Sequence, residues 1–135
     1  HWDRGARGAW FGLSLDTTPA DMMQALLEGV AFRTAEVIAA MEAATSLTGP
    51  VSIDGGMTAN PWFCRFLADA LAREVRVSAE PELTALGAAG LAAAALGLPD
   101  APPAAGHLIR PRDQPPAWAQ RFAAARAAVQ SYARA

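Results

Sequence analysis

Two hydrophobic periods divide this 135-residue chain. The mostly apolar set Met22, Met23, Leu26, Leu27, Val30, Thr34, Val37, Ile38 and Met41 steps by ones, threes and fours. Such steps trace one face of a helix, with Asp21, Gln24, Glu28, Arg33, Glu36 and Glu42 mostly off it. Thr18 is placed to cap, Pro19 suits the first helical position, and Asp21 stands three residues after Thr18 as in a capping box. One long amphipathic helix is therefore expected over 19–44. Before it, the apolar stretch from Ala9 to Leu15, with Trp10 and Phe11, reads as a strand end or packed loop. After it, Val51-Ser52-Ile53 is a brief β-prone run halted by Asp54-Gly55-Gly56. Asn60-Pro61 opens a second helix whose apolar face is Trp62, Phe63, Phe66, Leu67, Ala70 and Leu71. Val75-Arg76-Val77-Ser78 alternates like a second strand.

From Leu83 to Leu98 small residues dominate a third helix, in which Gly87, Ala88, Ala89 and Gly90 would let a neighbour approach closely. Prolines then mark 99–116 as a linker, and Ala117 to Ala133 reads as a terminal helix packing on the body through Trp118, Phe122, Val129 and Tyr132. Three units follow: a main domain over 1–98, the linker over 99–116 and the helix over 117–135. Helices that alternate with strands imply an α/β fold with parallel pairing. Two strands alone leave a sheet edge open, which points to missing partner strands. The opening His1-Trp2-Asp3-Arg4-Gly5 also reads as the interior of a longer protein.

Composition narrows the classes. Hydrophobic residues at 53% and charged ones at 18% suit a compact core rather than disorder. A net charge of -2 leaves no basic excess for a nucleic-acid backbone. The run from Ala85 to Leu98 falls short of the about 20 residues a membrane span needs. One cysteine allows no internal disulfide and fits a cytoplasmic setting.

The junction at Asp54-Gly55-Gly56 is the most informative chemistry. Ligands of open α/β sheets sit beyond the carboxyl ends of strands, and glycines there leave bare main chain for a base, ribose or phosphate. A plain tight turn is the other reading. Neither a Walker loop nor a dinucleotide-fold glycine pattern is present. Asn60 caps its helix, contacts a ligand, or does both. Asp54 reads as a structural acceptor, Glu28 and Glu36 as solvated, and Cys64 as a small core filler. His1 and His107 lack partners at metal-ligand spacing, so no metal site is expected.

Three stretches together resemble the C-terminal part of the FGGY carbohydrate kinases. They are Trp2-Asp3 with Ala6-Arg7-Gly8, Phe11-Gly12-Leu13 and Ala25 to Phe32; Ile53-Asp54-Gly55-Gly56-Met57-Thr58-Ala59-Asn60; and Glu82 to Ala89. The resemblance runs to about Leu98. It implies part of the C-terminal lobe of an actin-like ATPase (ribonuclease H-like) fold, with ATP in the cleft between two lobes. It places Gly55, Gly56 and Asn60 on the adenosine-binding wall: Gly56 and Asn60 contact the nucleotide and Gly55 shapes the turn. The phosphate loop, the general base, most substrate contacts and the groups holding Mg2+ belong to the N-terminal lobe, so no catalytic residue is expected here. The resemblance implies a cytoplasmic, homo-oligomeric parent that phosphorylates a polyol or sugar with ATP, while this chain alone is inactive. Thr84 to Ala89 leans toward glycerol-type members, and the opening motif is shared with xylulose and gluconate types. A non-catalytic nucleotide-binding remnant and a ligand-free helical scaffold are the competing readings.

Overall fold

The computed structural model describes residues 5–99, 104–112 and 119–133. Trp2 and Asp3 of the opening motif, residues 100–103 and 113–116 of the proline-rich segment, and Ala117 and Trp118 of the terminal helix lie outside them. Helix α1 spans Pro19–Ala44, strand β1 Val51–Ile53, helix α2 Pro61–Leu71, strand β2 Val75–Val77, helix α3 Leu83–Ala95, strand β3 His107–Ile109 and helix α4 Ala119–Tyr132. A 3-10 helix, Gly56–Ala59, joins β1 to α2.

Helix α1 begins where its cap dictates. The Thr18 hydroxyl accepts from Asp21 N at 3.2 Å, and the Asp21 carboxylate accepts from Thr18 N at 2.8 Å and Thr18 Oγ1 at 2.7 Å. Two otherwise orphaned amide donors are satisfied, one on each side of the box.

β1 and β2 pair in parallel, Val51 opposite Val75 and Ile53 opposite Val77. The third strand corrects two expectations. His107–Ile109 falls inside the segment read as a linker, and it pairs antiparallel with β2, Ile109 opposite Val75. The sheet is thus mixed, with order β1-β2-β3. Its edge position explains how a strand survives between prolines: the outer edge needs no ladder donors. Gly106 permits the approach, because a Cβ there would collide with the Val77 carbonyl.

The core forms where α1 crosses α2 above the sheet. Ala31 and Phe32 meet Phe63, Cys64, Phe66, Leu67 and Ala68, with Val75, Val77 and Ile109 beneath. Phe32 packs edge-on to Phe66 at 5.5 Å and lies 5.4 Å from Phe122 of α4. These aromatic contacts add to simple area burial. Two further expectations need correction. Of α1 only Ala31 and Phe32 are buried, while Met23, Leu26, Val30, Val37 and Met41 stay exposed, because the described residues flank that stripe without closing over it. Helix α3 has no buried residue, and a Cβ on Gly87 would meet nothing within 4 Å.

The tail is fastened electrostatically. Asp69 of α2, only 2% exposed, accepts from the Arg112 backbone N at 2.8 Å and from its guanidinium at 2.9 and 2.6 Å. Glu36, expected to be solvated, instead bridges Arg33 and Arg126 and so joins α1 to α4. Among the described residues no helix is long and apolar enough to cross a membrane.

Candidate functional site

The turn after β1 is built from backbone geometry. Ser78 N donates to Ile53 O at 2.9 Å, carrying the parallel ladder to the strand's carboxyl end. Gly55 then adopts φ 89 and ψ 177, a region essentially restricted to glycine. Its need for glycine is conformational rather than spatial, since a Cβ at Gly55 or Gly56 would meet nothing within 4 Å. Main chain is therefore bare on the outer side of this bend.

Hydrogen bonds hold the inner side. Gly55 O accepts from Thr58 N at 3.0 Å and from Thr58 Oγ1 at 2.7 Å. Asn60 N donates to Met57 O at 3.1 Å. The Asn60 side chain then caps α2, its Oδ1 accepting from Trp62 N at 3.0 Å and Phe63 N at 3.2 Å. This leaves the exposed Nδ2 without a hydrogen bond among the described residues. Capping thus uses only the oxygen of this amide and leaves its donor end available. Cys64, 1% exposed, donates its thiol to Thr58 O at 3.4 Å. Burial pushes that thiol above its ordinary value, so it remains a protonated donor and a core filler.

Gly55, Gly56 and Asn60 therefore share one hydrogen-bonded unit between β1 and α2. The unit is an open shelf and not an enclosed cavity. A groove of about 1060 Å³ lies elsewhere, where Trp10 and Phe11 of the N-terminal segment face Leu26, Phe32 and Val37 of α1 and Phe122 of α4. Its wall is largely apolar, with Gly8 and Gly29 and several charged side chains, Arg33 and Arg126 among them, also lining it. Among the described residues no three His, Cys, Asp or Glu side chains gather to hold a metal. Sequence reasoning passed over Thr58, although a hydroxyl three residues after a glycine turn is a known side-chain-to-backbone spacing.

Residues 1–96 match the FGGY family of carbohydrate kinases, C-terminal domain. The chain belongs to that family. The glycerol kinase of Gluconobacter oxydans (strain 621H) is 46% identical to the FGGY chain over 99 residues, 73% of this chain and 19% of that protein. The glycerol kinase of Cereibacter sphaeroides (strain ATCC 17025 / ATH 2.4.3) is 41% identical over 118 residues, 84% of this chain and 24% of that protein. The crystal structure of xylulose kinase from Rhodospirillum rubrum superposes with a TM-score of 0.78 at 27% identity, over 96% of this chain and 29% of that one. The FGGY chain spans about a fifth to a quarter of the length of these curated relatives. Its fold is that of the C-terminal lobe of the actin-like sugar kinases. The likeness extends into the tail, which the family resemblance in the sequence did not reach.

Proposed function

We propose that this chain is the nucleotide-facing C-terminal part of an ATP-dependent kinase whose acceptor is glycerol and whose product is glycerol 3-phosphate. The observation that carries the proposal is the 46% identity to a glycerol kinase, in a chain whose family match includes the glycine turn. The shelf fits a purine nucleoside. Gly55 and Gly56 offer unobstructed backbone, and Asn60 keeps an amide donor beside them. In the complete enzyme the acceptor oxygen displaces ADP from the γ-phosphorus and its proton passes to a base. Mg2+, when bound, neutralises the phosphate charge. We assign the base, the phosphate loop and the groups holding Mg2+ to the other lobe. The isolated chain contributes one wall of the cleft, and a wall supplies neither in-line positioning nor charge stabilisation. A second reading, a xylulose-type acceptor, draws support from the superposition on xylulose kinase.

A coupled assay on the complete kinase tests both. Glycerol-dependent ADP release supports the first reading, and release with xylulose but not glycerol moves the assignment to the second. Gly56→Val raises the KM for ATP while leaving that for the acceptor in place. The isolated 135-residue chain yields no product; ATP- and glycerol-dependent turnover by it overturns the division of labour between lobes.

A further inference from the structure

We infer that Thr58 is a positioning residue for nucleotide binding: its hydroxyl fixes the orientation of the Gly55–Gly56 peptide. The inference rests on the reading of the glycine turn as the adenosine wall. A trans peptide is planar, with C=O and N–H on opposite sides. Whatever holds the Gly55 carbonyl therefore also aims the Gly56 N–H. Glycine backbone is the least constrained of any residue, so this peptide rotates readily unless it is held. Gly55 O accepts two donors from one residue, Thr58 N at 3.0 Å and Thr58 Oγ1 at 2.7 Å, and both pull it into the 3-10 helix. The Gly56 N–H is thereby turned away from the side on which Thr58 holds the carbonyl, and neither glycine of the peptide has a neighbour in the way of a Cβ within 4 Å.

Thr58 is in turn anchored. Its own carbonyl accepts the Cys64 thiol at 3.4 Å, and Cys64 is buried in the α2 core. The chain of contacts runs from a rigid helix through Thr58 to the most permissive peptide of the site. The Thr58 hydroxyl is spent on Gly55 O and the Cys64 thiol on Thr58 O, so Thr58 acts through the peptide it holds and is not itself a ligand contact.

The test is ADP titration of the complete kinase, which needs no knowledge of the acceptor. Thr58→Ala and Thr58→Val remove the hydroxyl, and Thr58→Ser keeps it. Loss of one orienting hydrogen bond weakens ADP binding about fivefold in the first two, and Thr58→Ser binds like the parent. Thermal melts separate orientation from folding: a merely structural residue loses melting temperature in step with affinity, whereas here Ser and Ala differ in affinity at similar melting temperature. Equal ADP affinity for Thr58→Ser and Thr58→Ala overturns the inference even where the valine variant fails to fold. Gly56→Val keeps the two claims apart. If it leaves ADP binding unchanged, the turn is not the nucleotide wall and both fall. If it weakens binding while the Thr58 variants do not, only the role of Thr58 falls.

Discussion

Asp69 and Arg112 are an unequal pair: the carboxylate side chain is 3% exposed and the guanidinium side chain 68%. Hydrogen bonding to the carboxylate, and its charge, raise the Arg112 guanidinium above its ordinary value, so the arginine stays charged. Removing the arginine strands a buried charge, while neutralising the carboxylate only returns an arginine to water. Arg112→Met therefore lowers the melting temperature more than the double variant Arg112→Met/Asp69→Asn does, and a double-mutant cycle reads the difference. Equal losses would show that the carboxylate is effectively hydrated despite its burial. Gly106 makes a separate, steric demand. Its hypothetical Cβ overlaps the Val77 backbone, which cannot swing aside as a flexible side chain does. Gly106→Ala should cost about 1–3 kcal/mol, the range for overpacking, and urea melts would show it. Unchanged stability would mean that β3 shifts its register at no cost.

At the scale of elements, the capping box makes α1 pH-dependent. The Thr18 hydroxyl, then the Thr18 backbone N–H, hold the Asp21 carboxyl below its ordinary value of 3.8. A carboxyl lowered in the folded state stabilises above its unfolded pKa and loses that contribution as pH falls through the folded one. Far-ultraviolet dichroism should therefore show α1 fraying as the solution is acidified below about pH 4, near the unfolded carboxylate value. An Asp21→Ala variant should show less of this step, and an identical acid profile would remove the box from the account. The same cap made the start of α1 legible in the sequence, since Thr18-Pro19-Asp21 is local chemistry, and its end was legible where the apolar period gives way to the turn-rich residues 45–50. β1 and β2 were legible for a similar reason, each being a short β-branched run bounded by polar or turn residues. β3 was not, because its partner β2 lies some thirty residues back and Leu108-Ile109 carries no alternation long enough to read. Among the site residues the glycines announced themselves. The bond from Thr58 to Gly55 did not, since nothing in composition says which hydroxyl turns inward.

For the molecule as a whole, periodicity shows which face of a helix is apolar but not what covers it. Met23, Leu26, Val30, Val37 and Met41 follow one stripe of α1 at steps of three, four and seven, and each is 38–60% exposed. Isolated exposed apolar side chains are ordinary, whereas a continuous stripe is an association surface. β1 adds to it, since its outer edge pairs with no strand among the described residues. A three-residue edge is a weak template by itself. The helical stripe, spaced like a coiled-coil seam, is the stronger determinant of contact. The 14.1 kDa chain on its own should therefore sediment with an average mass that rises with concentration. Leu26→Glu/Val30→Glu puts two like charges in the middle of the stripe and should return it to a monomer, with little loss of fold because neither side chain is in the buried core. Should the wild-type chain stay monomeric at all concentrations, the stripe folds back against its own surroundings. Should the double variant still associate, the β1 edge drives assembly, and a Ser52→Pro substitution, which removes an edge donor, becomes the discriminating change.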